Sequence, residues 1–462
     1  NGGISRNTIA AYEMATGDYI VLLDHDDILT ENALYECACV IEENPQADFI
    51  YSDRGVFDNG TKTIIADQFL PDYSPDFLRA TNYASHLNLF SRQVIEKAGF
   101  IREGFDGSQD YDIELRVMEQ ARDVVHIPKI LYYCRACEGS VALNPESKMY
   151  AYEAGRRAIA AHIARIGFPG EVEFIRDTFS YRIHYEIVNP GKVTIIIPNM
   201  DHLEQLKPCV ESILEKTDYP DYEILIVENN SQNPETFAYY QELEANPRVR
   251  VITYQPEQPG FNYSAINNFA VAQTDSPYVL FLNNDVTVIN EGWLREMLMF
   301  AQRPDVGAVG ARLYYPDDTY QHIGLFIGIG CHIATHYAHR TPKTNTGYMH
   351  RLSMPQNYNA VTAACMLVKR ADFLAVGGFD QVDFKVGLND VDLCLKLRSL
   401  GKFNVLTPYA ELYHYESISR KSDAEGPNKA RFAREQELFR KKWAAYFRDG
   451  ACDGYYHPQL NL

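Results

Sequence analysis

Tyr278-Val-Leu-Phe-Leu-Asn-Asn-Asp285 reads as an apolar strand that ends on an acidic tip. A second copy, Tyr19-Ile-Val-Leu-Leu-Asp-His-Asp-Asp27, lies earlier in the chain. The two align without a gap at a shift of 259 residues, which still holds at Pro45 and Pro304. A buried strand that delivers carboxylates to its C-terminal end is how an open α/β sheet presents a metal to a phosphorylated ligand. Its repetition points to two copies of one nucleotide-handling domain.

Working outward from the second copy, strands and helices alternate. Residues 193–198, 223–227, 249–254 and 278–282 are short, apolar and rich in β-branched side chains, as buried strands are. Leu203, Leu206, Val210, Ile213 and Leu214 follow helical spacing, with a kink or restart expected at Pro208. Trp293, Leu294, Met297, Leu298 and Ala301 give another amphipathic helix. This order predicts an α/β fold with a mostly parallel sheet and right-handed crossovers.

The first copy opens at Asn1-Gly-Gly-Ile-Ser-Arg-Asn7, which matches Gly260-Phe-Asn-Tyr-Ser-Ala-Ile-Asn267. It therefore has no counterparts of the strands at 193–198 and 223–227, and is expected to be N-terminally truncated and inactive as it stands. Farther on, Ala98-Gly-Phe100 answers Gly377-Gly-Phe379, and Gln109-Asp-Tyr-Asp112 answers Asn389-Asp-Val-Asp392. The expected organisation is a truncated first domain at 1–145, a helical and strand connector at 146–191, a complete second domain at 192–425, and a C-terminal helix and tail at 426–462.

The 462 residues carry a formal charge of −19, which argues against nucleic acid as a partner, since no basic stripe is available to release counterions. Nine thinly spread cysteines suit a reducing, cytoplasmic compartment better than a disulfide framework. Cys134-Arg-Ala-Cys137 has CxxC spacing but no second pair, so zinc or redox use is the lesser reading. No apolar run approaches the roughly 20 residues of a membrane span. The basic stretch 428–447, with Phe432, Leu438, Phe439 and Trp443 near one face, admits two readings. It could lie on the inner face of the cell membrane, or pack back on the second domain, the stronger expectation.

Three acidic stations carry the chemistry. Glu228 ends the second strand, where a carboxylate can accept hydrogen bonds from a nucleobase or ribose. Asp285 reads either as a turn or helix-cap residue or as a hard oxygen ligand, one being enough for a divalent cation if a diphosphate supplies the remaining ligands. Asp390 opens a helix and recurs as Asp110, which favours a catalytic carboxylate over a helix-dipole acid. His414 reads as a structural histidine or as one that completes a metal shell, whereas His332, His336 and His339 read as a polar loop or acceptor-facing surface.

Taken in order, these motifs resemble the family-2 glycosyltransferases of GT-A fold. They are strand-Pro, strand-acid-Asn-Ser, Phe-Asn-Tyr-Ser-Ala-Ile-Asn-Asn, Leu-Asn-Asn-Asp, Gly-Gly-Phe-Asp, Asn-Asp-Val-Asp-Leu and Tyr-His-Tyr-Glu-Ser. The likeness is greatest to the tandem bacterial enzymes that build rhamnan, O-antigen and other surface polysaccharides. It implies two GT-A domains in tandem, the first incomplete. It assigns Pro198, Asp201, Glu228, Asn230 and Asn267 to the nucleotide-sugar pocket, and puts Asn283, Asn284 and Asp285 at the family's DxD metal motif. Asp390 falls at the catalytic base and His414 at a metal or diphosphate ligand. In the first copy Asp24, Asp26 and Asp27 form a fuller acidic tip and Asp110 matches the base. At Tyr133 and Cys137 this chain departs from the histidines that related chains often carry.

The resemblance implies an inverting transferase using Mg²⁺ or Mn²⁺. It would move a sugar from a nucleotide-diphosphate donor to a polysaccharide or lipid-linked glycan acceptor, in the cytoplasm or peripherally at the inner face of the membrane. The competing expectation is a non-catalytic glycan-binding scaffold with degenerate donor sites, because Asn283 and Asn284 replace two acids.

Overall fold

A computed structural model describes residues 3–136, 149–256, 260–330, 332–415, 426–448 and 453–460, with side chains from 428 onward in the C-terminal helix. Cys137, Glu416 and Ser417 lie outside the described residues. The chain divides into two compact units, Asn1–Glu186 with Gly454–Asn461, and Ile187–Asp453 with Leu462.

The first unit contains β1 (Tyr19–Leu22), β2 (Ile28–Leu29), β3 (Ala47–Asp58), β4 (Thr63–Gln68), β5 (Asn88–Ser91) and β6 (Asp123–Ala136) in one sheet of order β1-β5-β3-β6-β2, with β4 beside β3. Only β3 and β6 pair in parallel. Ile50, Leu89 and Leu131 meet Ala33 and Cys37 of the helix Ala33–Glu43 in its core. The helix Met149–Arg165 and the hairpin of β7 (Gly170–Ile175) and β8 (Ser180–Tyr185), read in the sequence as a connector, belong to this unit. Among its described residues nothing corresponds to the first two strands of the second unit.

The second unit is built on β9 (Val193–Asn199), β10 (Tyr222–Glu228), β11 (Val249–Thr253), β12 (Tyr278–Leu282), β13 (Val286–Val288), β14 (Val306–Tyr314), β15 (Tyr320–His322), β16 (Leu325–Ile327), β17 (Ala334–His336), β18 (Gln356–Tyr358), β19 (Cys365–Lys369) and β20 (Phe403–His414). The main sheet runs β11-β10-β9-β12-β19-β14-β20-β13. β11, β10, β9 and β12 are parallel, as expected from crossover helices. Every residue of β12 is buried, which is why it has no polar alternation.

Beyond β12 the expectation of a mostly parallel sheet fails. β19 inserts between β12 and β14 antiparallel to both, and β20 pairs parallel to β14 but antiparallel to β13. The crossover from β12 through the helix Trp293–Ala301 to β14 skips one place, and a strand from much later in the chain returns to fill it. Local alternation reveals the crossover and not the late insertion.

Pro208 likewise does not interrupt its helix, which runs unbroken over Leu203–Lys216. The loss of one backbone hydrogen bond near the helix start is offset by burial of Leu206, Cys209, Val210 and Ile213.

The C-terminal helix Gly426–Lys442 packs back on the second unit. Phe439 is fully buried, with ring centroids 5.7 Å from Phe384 and 6.2 Å from Phe447. Glu435 accepts from the backbone N–H groups of Val386 and Gly387. Part of the apolar face that suggested a membrane surface is thus spent inside the protein. Among the described residues no helix is long and apolar enough to cross a membrane.

Candidate active site

The tip of β12 sits among β9, β19 and β20. Asn283 donates its backbone N–H to the Ala364 carbonyl at 3.1 Å, and the Asn284 side chain donates to Asn199 Oδ1 at 2.7 Å. Asp285 is only 5% exposed. Its Oδ1 has no hydrogen-bond partner, yet lies 3.3 Å from His414 Nε2. β13 and β20 place His414 opposite Val286, one residue past the aspartate. The Asn283 side chain approaches the same imidazole nitrogen at 3.3 Å, leaving His414 Nδ1 without a partner. A buried carboxylate oxygen without a donor is costly. Ligand bonds of about 2.1 Å would hold two neighbouring ligand atoms roughly 3 Å apart, so this pair fits a small divalent cation.

Asp390 stands in the first turn of the helix Asn389–Ser399. Its Oδ2 accepts from Thr362 Oγ1 and Ala363 N–H, each at 3.2 Å, and Oδ1 accepts from Val391 N–H at 2.9 Å. Burial nonetheless raises its pKa above the ordinary aspartate value, outweighing these donors. A half-buried carboxylate with a raised pKa is suited to accepting a proton. Asp392 is spoken for by Trp443 Nε1 at 2.9 Å and Lys442 Nζ at 2.8 Å, and is structural.

Of the residues expected in the nucleotide pocket, Pro198, Asp201, Glu228 and Asn230 cluster where β9 and β10 end, while Asn267 lies within the helix Tyr263–Ala272. Pro198 pairs with Val227. Glu228 is buried, with Oε1 accepting from Ser231 N–H at 2.6 Å and Oε2 from Ser231 Oγ at 2.6 Å and Tyr240 Oη at 2.7 Å. Asp201 accepts from the backbone of Gln232 and Asn233, and the Asn233 N–H leads in lowering its pKa. Asn230 is exposed in a left-handed turn, φ 63°. Asn267 is fully buried, its Nδ2 donating to Tyr263 O at 2.8 Å while its Oδ1 has no partner.

Three contributors escaped the sequence reading. Asn199 donates to Tyr240 Oη and accepts from Asn284, so it ties Glu228 to the acidic tip. Tyr263 donates to Ala363 O at 3.1 Å, and Asp390 and Asp285 are among the charges that raise its hydroxyl pKa, after burial. Its place inside the Phe-Asn-Tyr-Ser motif was the available signal.

His322, fully buried, accepts at Nε2 from Thr362 N–H (3.3 Å) and faces His336 Nδ1 at 3.1 Å. Burial, then His336 and His414, hold its pKa well below the usual histidine value. Of the histidines read as a polar loop, His332 and His339 are exposed, but His336 lies on β17 against this buried partner.

In the first unit Asp110 opens the helix Gln109–Met118, and its pKa is raised to about 6, chiefly by burial and further by Asp24. Asp24 is exposed, and Asp26 lies 3.7 Å from His25. Asp27 is brought against His86 and Cys134. Strand pairing in the two units is in step. Arg54 and Gly55 face Tyr132 and Tyr133 as Leu313 and Tyr314 face Leu412 and Tyr413, and Ile28 faces Tyr133 as Thr287 faces Tyr413. By that count Cys134, not Tyr133 or Cys137, stands where the second unit has His414.

A sequence model of the family described as glycosyl transferase family 2 matches residues 1–101 and 194–371. Over its whole length the chain is 44% identical to "Uncharacterized protein y4gI" of Sinorhizobium fredii, covering 50% of that protein. It is 36% identical to "O-antigen biosynthesis protein RfbC" of Myxococcus xanthus, covering 35% of it. The chain thus spans about half the length or less of these relatives. Among solved structures, the mannosyltransferase PcManGT from Pyrobaculum calidifontis in complex with GDP-Man and Mn²⁺ is 14% identical, with a TM-score of 0.41 over 65% of this chain and 74% of that one. With most of both units matched by its model, the chain belongs to glycosyl transferase family 2.

Proposed function

We propose that the second unit is an inverting glycosyltransferase of GT-A type. It moves a sugar from a nucleotide-diphosphate donor to a hydroxyl of a growing bacterial cell-surface polysaccharide or lipid-linked glycan. The observation that carries this reading is the buried, unpartnered Asp285 Oδ1 beside His414 Nε2. The first unit is read as a second copy of the same domain, with Asp110 and the Asp24–Asp26–Asp27 tip as its corresponding residues. The strand registers the two units share support it.

Asp285 and His414 would hold Mg²⁺ or Mn²⁺, which when bound neutralises charge developing on the diphosphate leaving group. Asn283 and Asn284 line the same tip, and Asn267, fully buried with an unpartnered Oδ1, is assigned to the same donor pocket. Pro198, Asp201, Glu228 and Asn230 shape the base and ribose end. Asp390 takes the proton of the acceptor hydroxyl as it attacks the anomeric carbon. One carboxylate on the acceptor side supports direct displacement with inversion.

A panel of nucleotide-sugar donors with Mg²⁺ or Mn²⁺, scored by released nucleotide, tests the reading. Silence across the panel, with or without a glycan acceptor, would sink it. One observation favours the scaffold alternative: both oxygens of Glu228 are already engaged by Ser231 and Tyr240. A scaffold would bind glycan and release no nucleotide.

A further inference from the structure

We propose that Asp27, His86 and Cys134 form a site in the first unit for a borderline-soft divalent transition metal, zinc foremost. A carboxylate oxygen, an imidazole nitrogen and a thiol sulfur, one from each, lie within 4.8 Å of one another. Zinc bonds of about 2.0–2.3 Å in tetrahedral geometry would set such atoms roughly 3.5 Å apart, so a closure of about 1 Å completes the site.

The ligands are held from three directions. Cys134 lies on β6 and Asp27 directly precedes β2, whose pairing with β6 begins at Ile28 and Tyr133. Tyr132 supports the other two: its hydroxyl donates to Asp27 Oδ2 at 2.6 Å, and its ring stacks on His86 at 4.7 Å between centroids. Arg135 N–H donates to Asp27 Oδ1 at 2.7 Å. Such outer contacts orient ligands before the metal arrives. The nearby Arg54 guanidinium is engaged by Gln68 and Ser85.

The chemistry of this set differs from that of the second unit. There His414 stands in the place of Cys134 and Val286 in that of Asp27. Counting back from the paired residues Ser91 and Lys369, Ala364 stands in the place of His86. Thiolate with imidazole selects zinc-like ions over Mg²⁺ and Mn²⁺, which prefer oxygen. Three protein ligands leave a fourth position for water, and binding releases the Cys134 proton to solvent. Among the described residues the companions of Cys134 come from positions 27 and 86, far from it in the sequence.

The full chain, stripped of metal, is titrated with Co²⁺ and followed by absorption. The expected result is a thiolate-to-cobalt charge-transfer band that Zn²⁺ displaces. Cys134→Ser removes the band, His86→Ala weakens Co²⁺ binding at least about ten-fold, and Asp285→Ala in the second unit leaves the band unchanged. No band in the native chain, or a band that survives Cys134→Ser, overturns the proposal. Should Cys134→Ser unfold, alkylation of Cys134 in the native chain, mapped by mass spectrometry, replaces it. Zn²⁺ must slow that alkylation, and an unchanged rate is equally fatal. The site stands apart from transfer by the second unit, so the two proposals fail separately.

Discussion

Asn283 and Ala364 are joined by a backbone hydrogen bond of 3.1 Å, and through it the two chemical stations of the second unit share one support. Ala364 follows directly on Thr362 and Ala363, the two residues that donate to Asp390 Oδ2. Asn283 opens the tip that ends at Asp285. The proposed base Asp390 and the proposed cation ligand Asp285, far apart in the chain, are thereby both tied to a single three-residue segment.

Asp390→Asn should remove transfer, with a fall of about 10²–10⁴-fold expected for loss of a general base, while donor affinity is retained. Nucleotide release measured beside calorimetric donor binding separates these effects. Turnover at the wild-type rate would show that the base lies elsewhere.

Burial raises the Asp390 pKa, and a base works only when deprotonated. The rate should therefore fall with decreasing pH through a midpoint above the ordinary aspartate value of about 3.9. A kcat/KM profile between pH 4 and 8 reads this directly. An acid limb at or below the ordinary value would contradict the role.

Asp285→Ala and His414→Ala should each weaken Mn²⁺ binding and abolish metal-dependent turnover, because a shell with few protein ligands cannot spare one. Mn²⁺ titration by electron paramagnetic resonance is the check. Unaltered Mn²⁺ affinity in both variants would place the cation somewhere else.

Asp110 carries a pKa raised to about 6 in the folded chain. For a carboxyl with a raised pKa the unfolded state releases its proton first, so stability is lost as pH rises from about 4 to about 6. Asp110→Asn should remove that loss and stabilise the first unit at pH 7 by on the order of 1–3 kcal/mol. Urea unfolding at pH 4 and pH 7 should show the gain only at the higher pH.

Phe439→Ala should destabilise the second unit by about 3–5 kcal/mol, as other buried phenylalanine truncations do, since the ring is fully buried beside Phe384. Thermal unfolding provides the comparison. A variant that keeps the wild-type midpoint would mean the helix is not packed as described.

Much of the scaffold was legible in the residues. β12 and the helix Trp293–Ala301 fall where the apolar pattern puts them, because a buried element records its own environment along its own length. The acidic tips and the paired aspartates Asp110 and Asp390 were equally visible, since each is one residue at a recognisable strand or helix end. No restart occurs at Pro208, because burial of one helix face outweighs a single lost hydrogen bond.

The sequence by itself determined that this chain carries two acidic-tipped strands at a constant spacing, each followed by an aspartate at a helix start. Only the tertiary structure decided which side chains those carboxylates meet. It turned Glu228 toward Ser231 and Tyr240, set His322 behind Thr362, and put Cys134 rather than a histidine at the end of β6 beside Asp27. The reason is physical: local periodicity reports how deeply one element is buried, whereas encounters between elements depend on strand order and register. Those are settled by long-range pairing, including a strand that returns late to fill a gap in the sheet.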